Sequence, residues 1–394
     1  MDYRKLKVLF EQHFANVPRT EPRLFRSPGR INIIGEHTDY NGGFVLPAGV
    51  DKEIALYIAP SGSNAVELYS ADKEEKISSN LQKYTEVTAE WARYPLGVLD
   101  QLLKLEHKVG GFYMVFGGNI PMGAGMSSSA ALECATVFAL NELFNLKLNK
   151  FEMVKLAQQA ENQFVGVNCG IMDQFASIFA AENTALKLDC RDLTYKGFSL
   201  NLTGYQLILV DSMVKHSLAS SEYNTRRAEC EEGLRIIQQS NPTVVNLRDV
   251  TLSQLEEYAP EMRPVVYQRC QYVIKEIQRV VDACQALEQH NLQRLGFLLY
   301  ETHEGLQHNY EVSCPELDFL VDFTRELPEV LGARMMGGGF GGCTINLVES
   351  QFAQEFTEKI SVAYKTQWSQ KPAIYPVKTA TGASEIKLTE TQSF

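Results

Sequence analysis

The residues with the clearest chemical potential occupy the segment SPGRINIIGEHTDYNGG, residues 27–43. Within ten positions it places an arginine, two carboxylates and a histidine, namely Arg30, Glu36, His37 and Asp39. Turn-forming Pro-Gly and Gly-Gly pairs flank these side chains, and such a cluster of oriented donors and acceptors suits a ligand with several hydroxyl groups. An exposed charged loop has a similar composition, so this segment alone leaves both interpretations open.

A second segment, PMGAGMSSSAA at residues 121–131, lies between a strand-like stretch and a strongly apolar helical stretch. Gly123 and Gly125 allow the backbone to approach a ligand closely, while the serines offer hydroxyl groups and helix caps. Free N–H groups at the start of the helix would complete a phosphate cradle. The chain contains no Gly-Lys pair, which excludes a Walker A loop. The alternative is a plain capped helix behind a glycine turn.

A third segment, GGGFGG at residues 337–342, contains the pattern G-x-G-x-x-G, which binds dinucleotides in some folds. That pattern should follow a strand and open a helix, whereas here the strand-like sequence CTINLVE comes next. We therefore expect a loop whose backbone passes close to another loop or to a ligand. A flexible turn is the alternative, but five glycines among six residues exceed what a turn requires.

Two carboxylates outside these segments are also candidates. Glu161 lies late in a predicted helix, and Asp173 lies in the apolar sequence CGIMDQF. Because apolar surroundings disfavour a charged carboxylate, Asp173 requires a cation beside it, and Arg30 is the candidate partner. The alternative is an ordinary aspartate in the first turn of a helix that starts near Ile171.

The sequence HEGLQH, residues 303–308, superficially resembles a zinc-protease helix. Its two histidines are five positions apart instead of four, so they diverge around a helix and we reject a metalloprotease site. Trp91 is a candidate for stacking on a nucleobase, but such an aromatic residue more often lies in a core or at the rim of a site.

The elements that must position these residues alternate in blocks along the chain. Leu6, Leu9, Phe10 and Phe14 recur at helical spacing and predict a short amphipathic opening helix. Four strand-like segments then predict a β-meander: INII, FVLPAGV, EIALYIA and AVELYS. Helical patterns follow at residues 128–146, 149–165, 221–239 and 262–308, with TALKLDC, YKGFSLNL and YQLILVDS as strands between them. These blocks predict an α+β chain of two domains.

The composition bounds the class of protein. The 394 residues suffice for about two to three domains, and 45% apolar with 22% charged residues excludes a disordered chain. A net charge of −11 disfavours nucleic acid and anionic membranes as partners. Eight scattered cysteines, a charged N-terminal stretch and no apolar run of about 18 residues predict a cytoplasmic protein without a membrane segment.

The order and spacing of the three segments resemble those of the GHMP small-molecule kinases, and within them the galactokinase branch. SPGRINIIGEHTDYNGG is similar to the signature of that branch, PMGAGMSSSAALE to the phosphate loop and ARMMGGGFGGCT to the third motif. Three further stretches are also similar: ENQFVGVNCGIMDQF, DSMVKHSLASSEYNTRR and YEVSCPELD. The resemblance covers residues 20–350.

The resemblance implies roles for individual residues. Asp173 matches a catalytic aspartate that accepts or orients the proton of the sugar's anomeric hydroxyl; whether it is a true base stays open. Arg30 matches the arginine that pairs with this aspartate and stabilises charge during phosphoryl transfer. Ser129 and Glu161 match Mg²⁺ ligands. The implied sugar-binding residues are Glu36, His37, Asp39, Gly170 and Tyr223. The implied nucleotide-binding residues are Trp91, Gly123, Ala124, Gly125, Met126, Ser127, Ser128 and Ser129.

The resemblance implies a GHMP kinase fold with the active site between two domains. The N-terminal domain, residues 1–185, is expected to hold a mixed β-sheet, and the C-terminal domain, residues 186–394, an antiparallel sheet with helices. The end of the chain is expected to pack back on the N-terminal domain. We expect a monomer or weak homo-oligomer that binds the small molecules D-galactose and ATP.

The implied activity is an ATP-dependent, Mg²⁺-requiring phosphorylation of D-galactose that gives α-D-galactose 1-phosphate. An N-acetylgalactosamine kinase is a close alternative, although chains of that type tend to be longer. A galactose- and ATP-sensing regulatory protein is the alternative of another class; the unbroken serine run with Arg30, Glu161 and Asp173 favours the enzyme. A kinase for another polyol is disfavoured because GEHTDYNGG and CGIMDQ match the galactose branch.

Overall fold

The computed structural model describes residues 1–14, 21–121, 123–167, 169–214 and 219–387, with the backbone alone at residues 219–221. The strands in this part of the chain are β1 (Arg23–Asn32), β2 (Phe44–Val45), β3 (Pro47–Pro60), β4 (Ala65–Ser70), β5 (Glu75–Asn80), β6 (Phe112–Gly118), β7 (Thr184–Asp189), β8 (Tyr195–Ser199), β9 (Tyr205–Asp211), β10 (Val330–Met335), β11 (Cys343–Glu349), β12 (Ala373–Val377) and β13 (Ser384–Ile386). The helices are α1 (Tyr3–His13), α2 (Arg93–Lys104), α3 (Ser128–Phe144), α4 (Lys150–Gln159), α5 (Met172–Phe179), α6 (Ala219–Ser240), α7 (Leu252–Tyr258), α8 (Pro264–Glu288), α9 (Leu292–Glu304), α10 (Pro315–Arg325) and α11 (Ala353–Trp368).

The opening helix is confirmed as α1. Leu6, Phe10 and Phe14 are buried against the first sheet, as their helical spacing predicts. The carboxylate of Asp2 accepts hydrogen bonds from two backbone N–H groups of the first turn, each at 3.1 Å, and so caps the helix.

The first sheet has the strand order β13-β1-β3-β6-β4-β5. It is mixed, because β4 and β6 are parallel whereas the other neighbours are antiparallel. The predicted β-meander is therefore wrong: β6 follows α2 in the chain and inserts between β3 and β4. Local strand patterns do not contain this information, because the pairing partner lies beyond an intervening helix.

The second sheet is antiparallel, with the order β10-β11-β9-β12. Apolar residues of α10 and α11, among them Leu320, Phe356 and Ile360, pack with Ile208 and Val210 of β9. A third sheet of three strands, β2-β7-β8, lies beside α8. Together the sheets and helices form the expected two-domain α+β fold.

The helix predictions are confirmed with adjusted ends. Residues 128–146 contain α3, which is buried on nearly all sides. Residues 149–165 contain α4 followed by a π-helical turn, Ala160–Val165. The pattern over 262–308 is divided into α8 and α9, because Asn291 accepts a hydrogen bond from the N–H of Arg294 at 2.9 Å and begins a new helix. Among the described helices, none is long and apolar enough to cross a membrane.

The predicted domain boundary near residue 185 falls inside β7, which pairs with β2, so this boundary stays a prediction.

The C-terminal part of the chain returns to the first sheet. Residues 384–386 pair with β1, and the guanidinium of Arg23 donates to both carboxylate oxygens of Glu385 at 2.8 and 2.9 Å.

The packing of α9 on β10 generates a stability prediction. A Cβ atom at Gly332 would lie 2.1 Å from the carbonyl oxygen of Gly296, so the two elements touch through their backbones. We expect Gly332→Ala to push them apart and lower the free energy of unfolding by about 1–3 kcal/mol, measured by urea denaturation. Val362→Ala, at an exposed position of α11, is the control and should cost less than about 0.5 kcal/mol. Equal stability of Gly332→Ala and the parent would contradict this contact.

Candidate active site

A cavity of about 610 Å³ lies where loops from the N-terminal and C-terminal parts of the chain meet. Residues 337–339 of the third glycine-rich segment form part of its wall. Eight of the sequence-predicted site residues line it: Arg30, Glu36, His37, Asp39, Glu161, Gly170, Asp173 and Tyr223. The structure therefore brings together four stretches that are far apart in the sequence, at residues 30–39, 161–173, 223–224 and 337–339.

An ion pair between Arg30 and Asp173 lies at one wall of the cavity. Arg30 lies near the end of β1, where a bulge interrupts the pairing with β3, and Asp173 lies in the first turn of α5. Arg30 Nε is 2.8 Å from Asp173 Oδ1, and Nη2 is 2.9 Å from Oδ2. The third donor, Nη1, binds the carbonyl of Gly125. The predicted pairing is thus present as a bidentate contact that also holds the second glycine-rich segment.

The residue at the N-cap position of α3, Ser127, does not cap the helix with its side chain. Ser127 has a left-handed backbone conformation (φ 55°), and its hydroxyl donates to Asp173 Oδ2 instead of capping the helix. The first-turn N–H groups of α3 therefore receive no side-chain cap. Gly123 and Gly125, with φ of 83° and 70°, shape the preceding turn. This geometry suits an anion such as a phosphate group.

The third glycine-rich segment connects β10 to β11, so the dinucleotide interpretation stays rejected because a strand follows it. A Cβ atom at Gly339 would lie 2.2 Å from the carbonyl oxygen of Val312, and one at Gly342 would lie 3.6 Å from the carbonyl oxygen of Gly123. The expectation of a backbone that passes close to another loop is therefore confirmed.

Glu36 is held by a buried cation. Its Oε1 atom accepts a hydrogen bond from Arg334 Nη1 at 3.0 Å and another from the N–H of Gly337 at 2.9 Å. The Arg334 side chain has no exposed surface, and it also binds the carbonyl of Ile33 at 2.9 Å and that of Asn32. One carboxylate oxygen of Glu36 is thus committed to the protein, and the other is available at the cavity.

Two buried side chains of the C-terminal helices support the same backbone. The carboxylate of Glu276 in α8 accepts a hydrogen bond from the N–H of Gly35 at 2.9 Å and from Arg279 Nε at 2.6 Å. The hydroxyl of Tyr272 donates to the carbonyl of Glu36 at 3.1 Å. The signature segment is therefore fixed from the C-terminal side of the fold.

His37 is a buried imidazole surrounded by tyrosines. Its ring centroid is 4.8 Å from that of Tyr310 and 5.3 Å from that of Tyr223. Nδ1 is 2.8 Å from the hydroxyl of Tyr40. Burial lowers the pKa of His37 to about 4, although the charge of Glu36 opposes this shift. The imidazole is therefore neutral at physiological pH.

Asp39 and Gly170 are in direct contact across the cavity wall. A Cβ atom at position 170 would lie 1.8 Å from Asp39 Oδ2, so only glycine fits there. Burial raises the pKa of Asp39 to about 6, and the backbone N–H of Tyr40, which favours the carboxylate, only partly offsets this.

Glu161 is the second residue of the π-helical turn that follows α4, and it is 7% exposed. Its Oε2 accepts hydrogen bonds from Gln174 Nε2 at 2.7 Å and from Cys169 Sγ at 3.3 Å, and the hydroxyl of Ser129 also binds the carboxylate. Burial and the nearby charge of Asp173 raise the pKa of Glu161. The two predicted metal ligands, Ser129 and Glu161, are therefore neighbours.

Glu133 in α3 is a second carboxylate beneath Glu161. It has no exposed surface and shares the Gln174 amide, whose Nε2 is 3.2 Å from Glu133 Oε2. Burial, together with the charge of Glu161, raises the pKa of Glu133 well above its ordinary value. Burial therefore favours the protonated form of Glu133.

Trp91 is not among the residues that line the cavity. Its ring packs on Phe116 at 5.6 Å between centroids, and its Nε1 donates to Glu75 Oε2 at 2.7 Å. Its nucleotide-side role, like the nucleotide roles of residues 123–129, stays a prediction. Met122 and residues 168 and 215–218, which belong to segments of the resemblance, lie outside the described residues.

Sequence reasoning missed several residues that contact the predicted site, among them Tyr40, Glu133, Tyr310 and Arg334. Each of these four lies inside a segment that carries the resemblance, and for Glu133 and Arg334 a charged group among apolar neighbours was the available signal. Their partners are distant in the sequence, so the pattern around each residue does not show what it binds.

Comparisons with known proteins agree with this geometry. The family model for the galactokinase galactose-binding signature matches residues 9–60, and those for the GHMP kinases N-terminal and C-terminal domains match residues 93–181 and 283–364. The galactokinase of Thermosipho africanus is 41% identical over 362 residues, which is 92% of this chain and 99% of the relative. The chain belongs to the galactokinase family. The galactokinase of Clostridium acetobutylicum is 40% identical over 97% of both chains.

Solved structures extend the agreement to the whole fold of this galactokinase-family chain. The structure of Lactococcus lactis galactokinase complexed with galactose has a TM-score of 0.94 at 32% identity and covers 98% of this chain and 100% of its own. Methanococcus jannaschii mevalonate kinase, at 18% identity, has a TM-score of 0.66 over 92% of this chain and 100% of its own, and therefore shares the fold.

The pKa of Asp39 predicts a pH-dependent stability for this galactokinase-family chain. Because the pKa is higher in the folded state (about 6) than the ordinary 3.8, the folded protein binds the proton more tightly, and stability is lost as pH rises from about 4 to about 6. Asp39→Asn removes this loss. We measure the free energy of unfolding of both proteins by urea denaturation. The difference between variant and parent should be roughly 2 kcal/mol larger, in favour of the variant, at about pH 7.5 than at about pH 4.5.

Asp192→Asn is the matched control, because hydrogen bonds from Thr194 lower the pKa of that exposed carboxyl. It should gain no stability at the higher pH. An Asp39→Asn protein that gains as much at about pH 4.5 as at about pH 7.5 would contradict the raised pKa.

Proposed function

We propose that this chain transfers the γ-phosphoryl group of ATP to the anomeric hydroxyl of D-galactose and so produces α-D-galactose 1-phosphate and ADP. The observation that carries the proposal is the Arg30–Asp173 pair. It contacts the open start of α3 through Ser127 and lines the same cavity as the polar cluster at residues 36–39. The complex of the Lactococcus lactis relative with galactose supports the choice of sugar.

The polar cluster suits a sugar because its groups have complementary hydrogen-bonding roles. The carboxylates of Glu36 and Asp39 accept hydrogen bonds from hydroxyl groups, and both are anchored by the protein. His37 and Tyr223 close the cavity around them. The contact between Asp39 and Gly170 leaves no room for a side chain at that position, which keeps the cavity open for the sugar ring.

Asp173 is proposed to orient the anomeric hydroxyl and to receive its proton. Both of its oxygens already accept hydrogen bonds, from Arg30 and Ser127, so its position is fixed before the substrate binds. A loose phosphoryl-transfer transition state demands little from the nucleophile, so positioning contributes more than proton removal. Arg30 stabilises the negative charge that spreads over the transferred group.

The phosphate groups are proposed to lie at the start of α3. The uncapped N–H groups of its first turn, the backbone of Gly123–Ser127 and the helix dipole together favour a polyanion there. Arg30 lies on this side of the cavity as well, because its Nη1 binds the carbonyl of Gly125. The nucleophile and the phosphate groups would thus meet at Asp173.

Ser129 and Glu161 are proposed to hold Mg²⁺. A hydroxyl and a carboxylate in contact form an oxygen donor set that a hard cation prefers, with phosphate oxygens and water as the remaining ligands. The raised pKa of Glu161 fits this assignment, because a nearby cation would offset the unfavourable burial of its charge. A bound Mg²⁺ neutralises charge on the β- and γ-phosphates.

Turnover assays test the proposal directly. We expect ADP formation from Mg-ATP with D-galactose, and much less with N-acetylgalactosamine, glucose or no sugar. Asp173→Asn should lower kcat about a thousandfold or more, because the variant loses both the charge and the bidentate contact to Arg30, while ATP affinity changes less than about threefold. Asp322→Asn, at an exposed position of α10, is the matched control and should match the parent.

Three outcomes would change the interpretation. Near-normal turnover of Asp173→Asn would refute the role of this residue. A preference for N-acetylgalactosamine would correct the substrate. Binding of galactose and ATP without turnover with any sugar would support the sensing protein instead.

The metal assignment has its own test. Glu161→Gln should raise the Mg²⁺ concentration for half-maximal turnover at least about tenfold, because an amide oxygen is a weaker ligand than a carboxylate. Glu133→Gln is a matched control, since it makes the same substitution at a neighbouring carboxylate that is not a proposed ligand, and it should shift the Mg²⁺ requirement less than about threefold. Equal shifts in the two variants would contradict the assignment.

A further inference from the structure

A chain of hydrogen bonds leads from His37 away from the cavity into the protein. Nδ1 of His37 is 2.8 Å from the hydroxyl of Tyr40, and this hydroxyl is 2.8 Å from that of Tyr310. The Tyr310 hydroxyl is in turn 3.3 Å from Cys230 Sγ. Tyr310 has no exposed surface, and His37 and Cys230 are exposed by only 4% and 1%, whereas Tyr40 is partly exposed. Three of the four groups are therefore shielded from water.

The imidazole at the end of this chain carries one proton on its ring nitrogens at physiological pH, because burial lowers the pKa of His37 to about 4. The proton is on Nδ1 or on Nε2, and the two tautomers present opposite groups at each nitrogen. The chain of hydrogen bonds determines which tautomer is favoured, because each hydroxyl or thiol group in it can donate only one proton.

Proton counting leaves two arrangements. In the first, Cys230 donates to Tyr310, Tyr310 donates to Tyr40, and Tyr40 donates to Nδ1, so Nε2 holds the ring proton. In the second arrangement, Nδ1 donates to Tyr40, Tyr40 donates to Tyr310, and Tyr310 donates to the sulfur atom of Cys230. The first arrangement is favoured because the phenol of Tyr40 then donates to the imidazole nitrogen, a strong acceptor. In the second, the phenol of Tyr310 donates to sulfur, a weak acceptor.

The third glycine-rich segment favours the same arrangement. The backbone of Gly338 favours a protonated imidazole, as an acceptor near the ring does, and Nδ1 is already in contact with Tyr40. Nε2 is buried, and among the described residues it completes no hydrogen bond of normal geometry. A proton on Nε2 would therefore meet an acceptor in the cavity wall, to which Gly338 belongs.

We propose that Tyr40 and Tyr310 are positioning residues that hold His37 as the Nε2–H tautomer in the wall at the sugar end of the cavity. The sugar assignment rests on the proposed function, in which Glu36 and Asp39, on either side of His37 in the signature segment, accept hydrogen bonds from sugar hydroxyls. A fixed tautomer keeps the imidazole, and with it the wall beside these carboxylates, in one position before the sugar binds.

Nuclear magnetic resonance of the full chain with ¹⁵N-labelled histidine tests the tautomer without any turnover. The chain has seven histidines, and the loss of one signal set in His37→Gln identifies the relevant ring. At about pH 7 we expect a protonated Nε2 and an unprotonated Nδ1 for His37, with and without galactose. A protonated Nδ1, or rapid averaging between the two forms, would overturn the proposal even if the chain phosphorylates galactose.

Tyr310→Phe and Tyr40→Phe test the role of the chain. Each should raise KM for galactose roughly two- to tenfold, with kcat and KM for ATP changed less than about twofold, and should shift the nitrogen signals of His37. Tyr300→Phe is the matched control, because it also removes a tyrosine hydrogen bond, one that joins α9 to Thr324 of α10 at 3.0 Å and involves none of the four groups of this network. It should change neither KM nor the His37 signals.

The two readouts separate a positioning role from a structural one. If one tyrosine variant fails to fold, the other variant and the spectrum of the parent protein still decide the question. Unchanged His37 signals and unchanged KM in a folded Tyr310→Phe or Tyr40→Phe protein would refute the positioning role. Absence of galactose turnover in the parent would refute the proposed function and leave the tautomer result valid.

Discussion

A guanidinium group without exposed surface, that of Arg334, joins the end of β10 to the loop that follows β1. A buried cation is stable only when its donors are satisfied, so the carbonyls of Asn32 and Ile33 and the carboxylate of Glu36 must keep their positions together. Gly337 donates to the same oxygen of Glu36 and so ties the third glycine-rich segment to this unit. Together with the contacts of Glu276 and Tyr272, this buried ion pair between the two halves of the chain holds the end of the cavity formed by residues 36–39.

The end of the cavity near the start of α3 has a different electrostatic arrangement. Asp173 has a cationic partner, whereas Glu161 and Glu133 have raised pKa values, chiefly because burial separates them from water. Gln174 links these two carboxylates through one amide group. The charge of Glu36 is thus neutralised by a cation of the protein itself, whereas in the proposed reaction Glu161 would be neutralised by positive charge that arrives with the nucleotide.

The sequence supported the fold class and the pairing of Arg30 with Asp173, because helical periodicity and an isolated carboxylate in an apolar segment are local signals. The position of β6 was not predictable in this way, since a strand pattern does not specify its neighbour in the sheet. Arg334, Tyr310 and Glu133 were missed for a related reason. Each is a polar residue whose partner comes from a distant segment, so its contact exists only in the folded chain and cannot be predicted from the neighbouring sequence.

The pairing of β13 with β1 has a consequence for synthesis of the protein. Arg23 and Glu385, which join these strands, are 362 positions apart, although both belong to the first sheet. A ribosome therefore completes β1, β3 and β6 long before it adds the strand that covers β1. Throughout that interval the nascent sheet presents an unpaired edge, whose free backbone groups are open to pairing with other chains.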